Sequence, residues 1–226
     1  MVAGITVAQA QVTGNLGLTS DYRFRGISQT QNGMAVQGGV DYTHSSGFYV
    51  GNWNSSVSGS LYTGGAGVES DVYAGFKKEV AKGLTLDVGS MNYFYPGYSN
   101  TNNPDGVNEL YAGLSYGPVS VKYSHSLSNY FGIANSKNTG YYSVDVAQPM
   151  GKVVLLAHAG RTDINNNSVY NYTDLNVGVG YNLRGWDLAG KFYTNTGKGS
   201  SMEAANTVGG QRLYKDAVVV SVSRAF

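Results

Sequence analysis

The sequence predicts an all-β protein, a single antiparallel transmembrane β-barrel of about 12 strands with short periplasmic turns and longer extracellular loops. Three observations carry this. Apolar and polar residues alternate with a period of two along most of the 226 residues, the connections alternate between short and long, and only 13% of the chain is Asp, Glu, Lys or Arg. A soluble β-protein turns its polar face outward and needs roughly a quarter or more charged residues to coat it. The pattern fits better inside out, with apolar residues toward lipid and polar residues toward a wet lumen.

The alternation is clearest from Thr173 to Leu183, where Thr173, Leu175, Val177, Val179, Tyr181 and Leu183 interleave with Asp174, Asn176, Gly178, Gly180 and Asn182. Near the start, Leu16, Leu18, Tyr22 and Phe24 share one side, and Asn15, Thr19, Asp21, Arg23 and Arg25 the other. Strands are expected at about 12–25, 34–44, 48–57, 66–77, 84–95, 107–116, 119–131, 140–148, 153–162, 172–183, 186–196 and 210–226. Gly and Pro mark the short turns Ser45 to Gly47, Lys78 to Gly83, Gly117-Pro118, Pro149 to Lys152 and Arg184-Gly185. Asn, Ser, Thr and Gly fill the long loops Gly26 to Gly33, Ser58 to Gly65, Pro96 to Gly106, Gly132 to Thr139, Asp163 to Asn171 and Gly197 to Gly209. Helical stripes are absent, and the longest strongly apolar run, Val153 to Ala157, is far below the ~18 residues of a membrane helix.

Aromatic residues cluster at the strand ends, as expected where hydrocarbon meets head groups. Tyr22, Phe24, Tyr93, Phe94, Tyr95, Tyr130, Phe131, Tyr141, Tyr142, Tyr172, Phe192 and Tyr193 lie toward the long loops, and Tyr42, Phe48, Phe76, Tyr116, Tyr181 and Trp186 toward the short turns, which reads as two girdles. At the C-terminus Val218, Val220, Val222 and Phe226 share a face. This ending resembles the signal read by the bacterial outer-membrane assembly machinery, an expected partner; Arg224 occupies an apolar-face position from which it can snorkel. Ala8-Gln9-Ala10 fits a signal-peptidase site, so residues 1–10 are expected to be a signal-peptide remnant and 11–226 the barrel.

Composition removes several function classes. A net charge of +1 gives no footprint for nucleic acid. The lack of cysteine removes disulfides and thiolate metal sites, the three histidines His44, His125 and His158 show no metal spacing, and no cofactor is expected. The glycine pairs are followed by no helix pattern or Gly-Lys-Ser/Thr and are not nucleotide loops. His125-Ser126 with Asn129 invites comparison with a Ser-His-Asn hydrolase, but adjacent strand residues point to opposite faces.

The same parity selects candidate pore-lining residues: Asp21, Arg23, Arg25, Asp41, Glu69, Asp71, Asp87, Glu109, Lys122, Asp145, Asp174, Asp187 and Lys191, an acidic excess with Arg23 and Arg25 as a local basic pair. Such charges set ion selectivity in a pore, or pair across strands and plug a narrow lumen.

The stretch NLGLTSDYRFRGISQTQNGMAVQGGVDYTHSSGFYVGNW, residues 15–53, resembles the opening of the TorF family of porins, also known as Gcw_chp. DVYAGFKKE at 71–79 and NYFYPG ending at Gly97 are similar to its later motifs, and SDYRFRGISQ at 20–29 is the most specific part. The likeness is collinear over most of 15–226; Lys77, Lys78 and Asn165 to Asn167 depart from it. The resemblance implies an outer-membrane barrel regarded as a pore, with no established substrate. The expected function is therefore non-enzymatic: passive diffusion of ions or small polar solutes, in contact with outer-membrane lipid and lipopolysaccharide. The alternatives are a closed-lumen structural or ligand-binding barrel and, after that, an outer-membrane hydrolase.

Overall fold

Apolar side chains at every second position need one continuous apolar surround, and closing the sheet on itself supplies it without leaving an edge. The computed structural model describes residues 10–62, 64–100, 102, 106–197 and 200–226. The export-signal reading falls almost wholly on residues outside these. The barrel strands are β1 (Gln11–Thr19), β2 (Ala35–Thr43), β3 (Phe48–Ser56), β4 (Val68–Ala81), β5 (Leu84–Phe94), β6 (Val107–Tyr116), β7 (Val119–Ser126), β8 (Gly140–Met150), β9 (Val153–Asp163), β10 (Tyr172–Leu183), β11 (Trp186–Asn195) and β12 (Ala217–Ala225). Each pairs antiparallel with its neighbour, and β1 closes the ring, with Leu18 opposite Val36 on β2 and Val222 on β12. Phe226 completes the seam: its amide donates to the Gly14 carbonyl (2.9 Å) and its carbonyl accepts from Gly14 N–H (2.8 Å).

The outside is apolar. Val12, Leu16, Val36, Val40, Val72, Leu114, Val144, Val177, Val179, Val218 and Val220 are all exposed. At the short-turn end Tyr42, Phe48, Tyr116, Tyr181 and Trp186 are exposed, Phe48 meets the Phe76 ring edge-on at 5.1 Å, and the Arg224 guanidinium lies 5.5 Å over Trp186. The girdle expected there forms. At the other end Phe94, Tyr142 and Phe192 are exposed, but Tyr22, Tyr93, Tyr130, Tyr141 and Tyr172 are buried. Most of that group fills the interior instead of meeting lipid.

The strand bounds differ from the sequence expectation in four instructive places. The first strand ends at Thr19, not near 25, because the Asp21 carboxylate accepts from Ser28 Oγ (2.5 Å), Arg23 Nε (2.7 Å) and Thr30 Oγ1 (3.3 Å), which folds residues 20–34 back on themselves. The seventh strand ends at Ser126, where Ser126 Oγ donates to the Ser128 carbonyl (3.0 Å) and the chain turns through positive φ at Phe131 and Gly132. The last strand begins at Ala217; the preceding segment forms a five-residue helix, α1 (Ser201–Ala205), and a small hairpin pairing Thr207–Val208 with Gln211–Arg212. In the opposite direction, the turn expected over Lys78 to Gly83 shrinks to Lys82-Gly83, since pairing continues past a register shift between Glu79 and Ala81 and Gly83 N–H donates to Glu79 Oε1 (2.9 Å).

Inside, tyrosines share the wall with glycines. The Tyr49 ring covers Gly75 and the Tyr111 ring covers Gly89, so that neither glycine has room for a side chain. A Cβ on Gly89 would stand 2.6 Å from Tyr111 Oη and 2.5 Å from the Ala74 carbonyl oxygen. Gly89→Val is therefore expected to destabilise the barrel by about 1–3 kcal/mol, read as a lower temperature for conversion of the compact gel band to the unfolded one. Gly190→Ala, where a Cβ meets nothing within 4 Å, leaves that temperature unchanged.

Candidate functional site

The site is built around residues 20–34, which enter the lumen as a short hairpin pairing Arg23 with Ser28 and Phe24 with Ile27. Its two tip residues, Arg25 and Gly26, have φ of 46° and 78°, the left-handed pair that a tight two-residue hairpin turn requires. Gly26 packs so closely that a Cβ there would lie 2.7 Å from Asp174 Cβ on β10. Arg25 reaches the other way, to β6: Nη1 donates to Glu109 Oε1 (2.9 Å) and Nη2 to Glu109 Oε2 (2.7 Å), a bidentate pair with side chains 7% and 3% exposed. Arg25 Nη1 also donates to Tyr130 Oη (3.1 Å), and the guanidinium sits 4.1 Å over the Tyr141 ring.

Arg23 holds the base of the hairpin. Its Nε donates to Asp21 Oδ2 (2.7 Å), while Nη1 donates to the carbonyls of Lys215 (2.7 Å) and Gly26 (3.3 Å). The Ser28 N–H bond to the Leu213 carbonyl (2.8 Å) ties the same hairpin to the segment before β12. Phe24 packs against Tyr93 and Phe131 with ring centroids 5.3 Å away in each case. The hairpin and the inward tyrosines form a cross-bar below the long loops.

Toward the short turns the lumen widens into two recesses. One, about 540 Å³, is lined by Asp41, Asp87, Glu109, Lys122, Lys77 and the tyrosines 49, 73 and 111; Tyr73 Oη donates to Asp41 (2.6 Å), Tyr49 Oη donates to Asp87 (2.6 Å), and Tyr49 and Tyr111 hydroxyls are hydrogen-bonded. The other, about 310 Å³, brings Arg23, Arg25, Asp145, His158, Asp174 and Lys191 together. Glu69 and Asp71 are buried higher, where Tyr22 Oη donates to Glu69 Oε1 (2.9 Å) but Glu69 Oε2 and Asp71 Oδ1 have no hydrogen-bond partner. Asp187 lies at the short-turn rim, exposed and bonded to Asn182 Nδ2 (2.7 Å). The candidates thus divide among cross-bar, recesses, a buried acidic pair and rim.

His158 is not among the lining candidates the sequence offers, yet it sits in the lumen. Its Nδ1 is 2.7 Å from Asp145 Oδ1, its Nε2 2.9 Å from Asp174 Oδ2 and 3.0 Å from Tyr141 Oη. Its odd-numbered neighbours Leu155, Ala157 and Ala159 face lipid by parity, a signal that could have placed His158 inward. His125 and Ser126 point apart as expected: His125 Nδ1 is 3.1 Å from the exposed Tyr123 hydroxyl, and Ser126 is fully buried on the inner face.

An apolar exterior on a closed sheet is the form that spans a bacterial outer membrane, and the chain is a bacterial outer-membrane barrel. No curated protein matches its sequence. Among solved structures, the NanC porin superposes with a TM-score of 0.60 at 10% identity over 96% of this chain and 99% of that one, and the KdgM porin with 0.55 at 10% identity over 95% and 98%. The KdgM porin in complex with disordered oligogalacturonate gives 0.51 at 8% identity over 95% and 97%. At such identities the likeness is one of fold, and none of these comparisons carries the TorF name. The family model described as "Bacterial protein of unknown function (Gcw_chp)" matches residues 5–226, and the chain belongs to the Gcw_chp family.

Proposed function

We propose that the protein is an outer-membrane porin for passive diffusion of ions or small polar solutes, with the Arg25–Glu109 cross-bar as its constriction. The observation that carries this reading is the two charged, hydroxyl-rich recesses open toward the short turns and reaching up to that pair. The two recesses set Asp41, Asp87, Glu109, Asp145 and Asp174 against Arg23, Arg25, Lys77, Lys122 and Lys191, with Arg25 taken up by Glu109. Charges of both signs at close quarters make a polar path with little preference between cations and anions. The porin neighbours share this fold.

In this reading the short turns are periplasmic, residues 1–10 are an export remnant, and insertion proceeds through the last strand, whose Val218, Val220 and Phe226 are exposed. The outer contacts are outer-membrane lipid and lipopolysaccharide. One observation favours a second reading, a closed structural or ligand-binding barrel: both partners of the cross-bar are almost fully removed from solvent.

Planar-bilayer recording separates the two. Refolded protein is expected to give discrete steps, with a reversal potential close to zero in a KCl gradient. Removing Arg25 alone strands a buried carboxylate, a loss of about 3–5 kcal/mol, so the informative variant is Arg25→Ala with Glu109→Ala, which is expected to raise step size severalfold. A folded double variant that is as silent as the parent overturns the pore and leaves the closed barrel. Asp41→Asn with Asp87→Asn leaves Lys77 and Lys122 in excess in that recess and is expected to shift the reversal potential toward that of Cl⁻ without abolishing the steps.

A further inference from the structure

The side of the cross-bar facing the long loops has the opposite chemistry to the recesses below it. There the loops close over a cavity of about 270 Å³ whose walls include Phe24, Tyr62, Tyr95, Phe131, Met202 and Leu213, and no Asp, Glu, Lys, Arg or His is among its described lining residues. We propose that this cavity is a binding site for a small neutral aromatic molecule of one or two rings.

Volume sets the size of the occupant. An apolar cavity of about 150 Å³ stays dry and takes up benzene, so 270 Å³ suits one or two rings. The walls set its chemistry. Tyr62 and Tyr95 stack with centroids 4.5 Å apart and planes 23° apart, Tyr98 meets Tyr62 edge-on at 5.4 Å, and Phe24 and Phe131 contribute a second ring pair at 5.3 Å. Offset and edge-on faces of this kind add to the area term when a further ring joins them. The nearby polar groups are already engaged: Tyr62 Oη donates to Gln29 Oε1 (2.6 Å) and Ser28 Oγ to Asp21 Oδ1 (2.5 Å). An ionised occupant would lose its hydration with no counter-charge among the described wall residues. The cavity lies on the loop side of the cross-bar and is walled in part by the hairpin itself, and its occupation does not depend on whether the lumen conducts.

The test uses the refolded full chain in lipid nanodiscs and fluorine NMR of 4-fluorophenol, which is neutral at pH 7. Partition into lipid does not saturate, so the expected signature is a saturable component of one site per barrel, absent with 4-fluorobenzoate. Ile133→Trp, which fills the cavity, and Tyr62→Ala, which removes its stacked ring, are each expected to weaken the saturable component at least tenfold. Val144→Trp on the lipid face leaves it unchanged; compact gel migration certifies that each variant is folded. Purely non-saturable uptake, equal saturable binding of the benzoate, or affinity unaltered in both folded cavity variants overturns the proposal.

Discussion

The interior is organised by one charge pair. Glu109 faces inward because β6 alternates, and at its depth an unpaired carboxylate would be strongly unfavourable. Arg25 answers it from a chain segment that leaves the wall at Thr19 and crosses the lumen, and the fork of two parallel hydrogen bonds fixes where that segment ends. The left-handed φ of 46° at Arg25, uncommon for a side-chain-bearing residue, persists because both sides of the tip are held, by Glu109 on one hand and by contact with Asp174 on the other. Phe24, the residue beside Arg25, packs against Tyr93 and Phe131. The division of the lumen into a charged lower part and an aromatic upper part thus follows from where one arginine finds its carboxylate.

The wall has to accommodate this filling. A narrow barrel whose inward positions were all large would have no lumen, and one lined by small residues alone would leave voids beside the hairpin. Here the two classes alternate across strands, with tyrosine rings lying over glycines on the neighbouring strand and their hydroxyls reaching Asp41 and Asp87. The high glycine count, 32 of 226, and the 19 tyrosines are therefore two aspects of one packing solution. Asp41 and Asp87 are held by phenol donors, where Glu109 has Arg25.

The barrel was legible because its cause is local: period-two alternation at Thr173 to Leu183 and turn residues such as Arg184-Gly185 declare strand and hairpin from neighbouring residues alone. The inward hairpin was not, because Ser20 to Arg25 alternates in the same way as a strand, and parity cannot tell a chain continuing along the wall from one that leaves it. The distinguishing signal was present in Arg25-Gly26, a two-residue turn framed by Asp21 and by Ser28 and Thr30, which bind that carboxylate. The aromatic placement failed for a related reason. Sequence position gives the height of Tyr93, Tyr141 or Tyr172 along the barrel, while odd or even register decides whether the ring meets lipid or lumen, and these three sit on the inward register.

Two acidic groupings on the inner wall show how far partner geometry outweighs charge count. Asp145 and Asp174 share the two ring nitrogens of His158, and a ring donating from both nitrogens brings the positive charge that this grouping otherwise lacks. Glu69 and Asp71, two residues apart on the same inner face, have a phenol donor from Tyr22 and two oxygens without partners. The two groupings also hang on different parts of the hairpin, since Gly26 rests on Asp174 whereas Tyr22 bonds to Glu69. The root is held as well as the tip, by Arg23 on Asp21 and on the Lys215 carbonyl and by the Ser28 N–H on the Leu213 carbonyl, so the hairpin is fixed at both ends of its crossing.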